Sequence, residues 1–412
     1  MKNKYDLIVI GSGAAGLISA IISAREGRGV LLLEKLPKIA SKLKATGGGR
    51  CNLTNTLSNE DFMARFGRDG RFMQDALQSF DHKALVNFFT EIEVQTHAPD
   101  GFRIFPTSHS SSTIISALEV ELQRLGVEVS CSQRVEQLLY SEKQIIGAQT
   151  QSQIFNAPNV IVATGGLGYP TLGAEGDGYS LASKLGHSVT ELHPAMMPLK
   201  VKEDWVKNCR ADTMAKVELK VDLKKGKKLR ATGDLIFTNN GIRGPVVLDF
   251  AREVTPLLEK YTEVPLLLNL TKGMNEEEIN KHLKDKVLLN PHAKTVEHVN
   301  TLLPFPLSNE LCLLAGINPD DTYNKTTGAQ KAKLIQLLAW TPLTVTGHDG
   351  FKMAMITRGG INLKEINPKT MQSKIINGLY FCGEVMNLDG PCGGYNLQWS
   401  FSSGFLAGKL GE

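Results

Sequence analysis

The chain is poor in several things that would otherwise suggest a function. Its six cysteines are scattered through 412 residues with no C-x-x-C pair, and neither they nor the nine histidines show metal-ligand spacing. That excludes a disulfide scaffold, a zinc ribbon and a paired-thiol redox centre, and the thiols read as reduced ones in a cytosol. No apolar run reaches spanning length, and the two N-terminal lysines pass directly into a fold that already contains Asp6. Neither a membrane segment nor a signal peptide is expected, so the protein is read as soluble and cytoplasmic. Charge of one sign is also lacking. A net +4 and a pI near 8.6 are too little to imply a nucleic-acid partner without a concentrated patch.

What the chain does have is glycine punctuation. The apolar run Tyr5 to Ile10 meets Gly11-Ser12-Gly13-Ala14-Ala15-Gly16, and a helical pattern follows from Leu17. A second apolar run, Val30 to Leu33, ends in Glu34, about 20 residues beyond the glycines, where a dinucleotide fold places the acid that holds a ribose hydroxyl. Gly11 permits the tight turn, Gly13 lets backbone amides approach a pyrophosphate, and Gly16 lets the helix pack on the strand. Alone the motif would be weak; strand, helix, second strand and acid together predict a nucleotide site. The acid argues against a 2′-phosphate and leaves NAD or FAD.

Ala45 to Asn55 packs three glycines against Arg50, Cys51 and two amides, a loop suited to backbone contact with a flat or anionic ligand. Arg50 could pair with a phosphate or carboxylate. Cys51 has no second cysteine four or five residues away, so it is a wall residue and not a thiol relay. Phe62 to Thr90 reads as helix, with Phe72, Ala76, Phe80, Leu85, Phe88 and Phe89 buried; Thr113 to Leu125 is a second helix. Arg103, set between Phe102 and Phe105, is a cleft candidate and equally an ordinary surface arginine. Val127 to Val129, a hairpin through Gln144 to Thr150, and the buried strand Asn159 to Ala163 follow. The small-residue turn Thr164 to Gly178 then opens a helix, with Asp177 expected as its N-cap and Tyr169 as a pocket residue.

Beyond Pro198 the composition changes. Lys216 to Leu223 and Lys228 to Phe237 flank Lys224-Lys225-Gly226-Lys227, a hairpin signal, and Val264 to Leu270 is a further strand. The lysines are read as a solvated face, although they could grip an acidic partner. Glu276 to Leu289, Thr295 to Leu303, Leu307 to Ala315 and Gln330 to Trp340 form four short helices broken by prolines. The chain closes with strand Gly378 to Cys382, Gly383-Glu384, the glycine turn Gly390 to Gly394, and a helix from Trp399 to Gly408. The acid would take hydroxyl hydrogen bonds. The start of the helix would aim amides at a flavin pyrimidine oxygen.

Gly11 to Gly16, Thr46 to Asn55 with its Gly-Gly-Gly-Arg-Cys-Asn core, Ala163 to Gly166, Gly168 to Thr171, Gly383-Glu384 and Gly390 to Gln398 together resemble the BaiN-like, aminoacetone-oxidase family of FAD flavoproteins, over essentially the whole chain. The resemblance implies an α/β fold: a Rossmann-like two-part FAD-binding domain (1–193 and 341–412) with an inserted β-barrel-like domain (194–270, with 341–360 as its candidate extension) and a helical subdomain (271–340). FAD is the implied cofactor. Its implied surroundings are Gly11, Gly13, Ala14, Ala15 and Gly16 at the first turn, and Glu34 and Lys35 after the second strand. Thr46, Gly49, Arg50, Cys51 and Asn52 in the glycine loop join them, with Val135. Ala163, Thr164 and Gly165 complete one side, and Gly383, Glu384, Gly394, Asn396 and Leu397 the other. No metal is expected.

The chemistry expected is hydride transfer between flavin N5 and a small substrate, foremost oxidation of an amine or amino-ketone with oxygen as acceptor. NAD(P)H-driven reduction of an activated double bond is the alternative; a flavin-bearing RNA-associated protein is the third. No second G-x-G-x-x-G is present, so NAD(P)H would share the substrate pocket. Tyr169, Cys392 and Tyr395 are proton-donor candidates, and Arg243 and Arg358 are candidate anchors for a substrate carboxylate.

Overall fold

Leu7–Ile10 is apolar at every position and wholly buried. A strand with no polar face belongs in the middle of a parallel sheet covered by helices on both sides. In the computed structural model, which describes residues 4–223 and 228–411, it is the third of five strands. The order is Leu379–Phe381, Val160–Val162, Leu7–Ile10, Val30–Leu33, Glu128–Ser130, all paired in parallel. The two ends of the chain therefore share one sheet. They also share one helix pair, since Tyr395–Gly408 lies against Ala14–Arg25 so closely that a Cβ at Gly404 would stand 2.3 Å from the Ala15 carbonyl oxygen.

The chain divides into two units, residues 1–194 with 355–412, and residues 195–354. The first holds the parallel sheet, the meander Val135–Ser141, Gln144–Thr150, Ile154–Asn156, and a small sheet of Thr54–Asn55, Arg103–Pro106 and Thr96–His97. The helix expected over Phe62 to Thr90 is four pieces: Asn59–Ala64, a 3₁₀ stretch Gly67–Met73, Gln74–Ser79 and His82–Glu91. The chain folds back at Gly70, where a Cβ would meet the Met63 carbonyl oxygen at 1.9 Å. It restarts at Asp81, whose carboxylate caps the N–H groups of Lys83 and Ala84.

The second unit is a closed antiparallel barrel ordered Leu199–Val201, Gly241–Arg243, Arg230–Phe237, Thr213–Val221, Val264–Asn269, Thr341–His348. Val217, Leu219, Val221, Leu235, Phe237, Leu266 and Leu268 fill it by strict alternation. The Lys224 to Lys227 turn lies outside the described residues. Thr341–His348 closes the barrel, within the 341–360 stretch named as its candidate extension, and the first unit resumes at residue 355.

A 17-residue helix, Pro245–Tyr261, was not foreseen. Its signals were a proline in the first turn and buried Val246, Val247, Phe250, Ala251, Val254 and Leu258 at helical spacing. The four helices of the insert are Glu276–Leu289, Thr295–Val299, Phe305–Leu314 and Gly328–Ala339. The first and last of these start on capping boxes, Asn275 with Glu278 and Thr327 with Gln330. No helix among the described residues is long and apolar enough to cross a membrane.

Candidate functional site

The three fingerprint glycines do different things. At Gly11, φ is +98° and a Cβ would stand 2.6 Å from the Ala163 carbonyl oxygen; at Gly16 it would stand 1.9 Å from that of Gly11. Both are closed by protein. Gly13 faces nothing within 4 Å and is the N-cap of Ala14–Arg25, which carries no side-chain cap and no acid in its first turn. An open glycine over an uncapped helix start is what a pyrophosphate needs. Glu34, 9% exposed, is fixed beside this turn: its carboxylate accepts from the Ser12 N–H at 3.0 Å, the Ser12 hydroxyl at 2.5 Å and the Leu36 N–H at 2.8 Å.

Lys35 turns to Glu175 at 2.8 Å and Asp177 at 2.5 Å, and Arg134 joins the same two acids. Asp177 is therefore not the N-cap expected of it. Gly176, at φ +81°, takes that place, and the Asp177 carboxylate is held by two cations. Val135, the next residue after Arg134, is buried at the start of its strand opposite Thr150.

In the glycine loop, Gly47, Gly48 and Gly49 all have positive φ, as does Cys51 at +58°. Cys51 is fully buried, and desolvation pushes its thiol up to about 11 against a partial offset from Thr46, so it stays protonated. Thr46 itself donates its hydroxyl to the Leu43 carbonyl at 2.7 Å. With its amide oriented so that the oxygen faces Gly394, Asn52 accepts from the Gly394 N–H at 3.0 Å and donates to the Thr54 carbonyl at 3.1 Å. Asn55 donates to the Gly393 carbonyl at 2.9 Å, and a Cβ on Gly394 would overlap Thr54 at 2.6 Å. The glycine loop and the C-terminal glycines are thus one hydrogen-bonded seam.

On the remaining side, Ala163 is buried, Gly165 is open at φ +71°, and the buried Thr164 hydroxyl has no partner among the described residues. A cradle that no side chain fills, with an orphaned hydroxyl on its wall, fits a nucleotide cofactor. After Gly383, at φ +77°, Glu384 accepts from the Thr357 N–H at 2.9 Å and pairs with Lys42 at 2.7 Å. Lys42 and Thr357 carried no signal in the sequence, being 342 and 27 residues from their partner. Asn396 turns inward, joining Gly390 at both its N–H (2.8 Å) and its carbonyl (2.9 Å), and so shapes the turn. The last helix begins at Tyr395, one turn earlier than expected, behind Gly394 at φ +85°; Leu397 in its first turn is half-buried.

Four of the proton-donor and anchor candidates belong to the first unit and Arg243 to the second. Tyr395 is 4% exposed and packs its ring 5.0 Å from Phe62, 6.2 Å from Phe66 and 6.4 Å from Phe102, which makes it a core residue. Tyr169, in a left-handed conformation, Cys392 and Arg358 are half-buried in the first unit. Arg243 is exposed on a barrel strand of the second. Tyr179 carried no signal in the sequence; it is buried where desolvation and the Glu384 carboxylate raise its phenol far above the ordinary value.

The family model described as HI0933-like protein Rossmann domain matches residues 5–410. The chain is 33% identical over 406 residues to the 3-dehydro-bile acid delta(4,6)-reductase of Clostridium scindens, covering 97% of each. It is 31% identical over 411 residues to the ribosomal RNA dihydrouridine synthase of Haemophilus influenzae, covering 98% of each. Among solved structures it is similar to the 3-ketosteroid delta1-dehydrogenase of Sterolibacterium denitrificans, at a TM-score of 0.56, 13% identity and 99% coverage of each chain. That last likeness establishes the fold alone.

Proposed function

The chain belongs to the HI0933-like Rossmann family of FAD-dependent oxidoreductases, and from that premise we propose that it adds hydrogen across a carbon–carbon double bond conjugated to a carbonyl. The observation that carries this reading is the full-length likeness to two proteins whose names denote that chemistry on different substrates. One reduces a dehydro-bile acid, and the other makes dihydrouridine, which is uridine with its conjugated double bond reduced. Neither name supports oxidation of an amine by oxygen.

FAD, when bound, supplies the hydride at N5. The chain's part is to hold it and to leave room for the alkene. Gly13 and the N-terminus of Ala14–Arg25 would take the pyrophosphate, Glu34 a ribose hydroxyl, and the Thr164 hydroxyl and Glu384 further polar atoms of the cofactor. The start of Tyr395–Gly408 has no acidic residue in its first turn, so its partial positive charge is free to favour electron-rich reduced flavin. The second hydrogen arrives as a proton. With Tyr395 enclosed by phenylalanines, Tyr169 and Cys392 are the half-buried donors left among the original candidates.

The test is anaerobic. Holoprotein is reduced with NADH, NADPH or dithionite and mixed with an uncharged 3-oxo-4-ene steroid, a uridine-containing RNA fragment, or buffer. Return of the yellow absorbance with an alkene, and its slow return in buffer, is the expected result. Reduction of the flavin by primary amines, with no alkene able to reoxidise it, would restore the amine-oxidase reading instead.

A further inference from the structure

Two arginines and a histidine converge on one ring, and a second histidine packs on the first. The Arg50 guanidinium lies 5.6 Å from the centroid of Phe105 and that of Arg103 6.0 Å from it. The His109 ring lies 5.9 Å from Phe105 and 4.6 Å from His97, which is opposite Phe105 on the neighbouring strand. The Asp100 carboxylate is committed to Arg103 and its neighbour. It takes the N–H groups of Arg103 at 2.7 Å and Phe102 at 3.0 Å, and the Arg103 Nε at 2.6 Å. Those bonds, with Arg103 foremost, hold its carboxyl down to about 2.

Arg50 is left differently. Its Nε reaches the Gly47 carbonyl at 3.3 Å, and it forms no salt bridge among the described residues. A guanidinium fixed by its Nε and by a ring face presents its two terminal nitrogens as a fork, the shape that takes a carboxylate or phosphate with two parallel bonds. The Nε2 of His97 is buried and has no hydrogen-bond partner among the described residues. A buried polar atom left without a partner costs stability unless a bound group joins it. The cluster adjoins the seam already described: a Cβ on Gly47 would lie 3.9 Å from Phe105, and Asn52, two residues beyond Arg50, bonds the Gly394 N–H.

We infer that Arg50, with His97 and His109, forms a subsite for an anionic group of the substrate, a carboxylate or a phosphate, which anchors the conjugated alkene beside the flavin cradle. This rests on the reading of the substrate given above, and it names the feature by which substrates are selected. Arg103 stays paired with Asp100.

Binding to oxidised holoprotein is read from the perturbation of flavin absorbance, with two pairs of probes. One is 3-oxo-4-cholenoate and its methyl ester; the other is uridine 5′-monophosphate and uridine. Within at least one pair the anion should bind about tenfold or more tightly than its neutral partner, and the pair that does so identifies the anion as carboxylate or phosphate. Arg50→Met should erase the preference while keeping one flavin per chain, and Arg50→Lys should restore part of it. Equal binding of charged and neutral probes by the unmodified protein overturns the inference and needs no variant. Loss of flavin from Arg50→Met overturns it too, assigning the guanidinium to the cofactor. Neither result bears on alkene-driven reoxidation, which is read with an uncharged steroid.

Discussion

At the scale of single residues, the glycines of the first turn separate packing from ligand contact. A Cβ on Gly16 has nowhere to go but into the Gly11 carbonyl at 1.9 Å, so Gly16→Ala should lower the unfolding free energy even without cofactor, by about 1–3 kcal/mol. Gly13 has φ of −74°, a value any residue adopts, and open space beyond it. Gly13→Ala should leave the apoprotein within about 0.5 kcal/mol of the original. Its FAD affinity should nevertheless fall about tenfold or more, roughly 1.4 kcal/mol. Urea denaturation of apoprotein and flavin titration separate the two, and equal effects of both variants on apoprotein stability would contradict the assignment.

The buried thiols give a pH dependence with a definite sign. Desolvation raises Cys51 from 9.0 to about 11 and Cys209 and Cys312 to about 12. The folded chain therefore holds protons that the unfolded chain releases above pH 9, and stability must fall as pH climbs from there toward 11. Chemical denaturation at about pH 8, 9.5 and 10.5 should show the midpoint dropping across the upper interval, and Cys51→Ala should flatten part of that drop. A midpoint that is constant or rises there would show that these thiols titrate normally.

At the scale of elements, legibility follows the range of the forces involved. The first strand, turn and helix could be read from the sequence because Gly11, Gly13 and Gly16 act on neighbours a few residues away. The seam between Asn52 and Gly394 and the Lys42–Glu384 pair could not, since each depends on how distant segments stack. The helix Pro245–Tyr261 had a readable pattern of its own, a proline in its first turn and apolar residues at helical spacing, between strand signals on either side. Asp177 shows the converse failure: a good capping residue is drawn off by Lys35 and Arg134. The contact between the terminal helices is testable at this scale. In an exposed helix, glycine to alanine stabilises by up to about 1 kcal/mol. At Gly404 the new methyl would meet the Ala15 carbonyl oxygen at 2.3 Å and Ile18 at 2.5 Å, so Gly404→Ala should destabilise, by about 1–3 kcal/mol. A gain in thermal midpoint would show that the helices stand further apart than described.

At the scale of the whole molecule, the two units have separate hydrophobic cores. One is built around Leu7–Ile10 and Val160–Val162, the other around the barrel and its helices. The second unit is also continuous in sequence, from 195 to 354, while the first is made from both ends of the chain. Every residue given a role toward FAD lies in the first unit. A ligand that binds only the folded form stabilises what it touches by an amount set by its concentration over Kd, about 2.7 kcal/mol at a hundredfold excess. Scanning calorimetry should accordingly resolve two transitions, with added FAD raising one and leaving the other in place. Residues 195–354 expressed alone should reproduce the transition that FAD does not move. A single transition shifted as a whole would mean that the barrel unit folds only together with the cofactor domain, and its separate core would then be insufficient for independent stability.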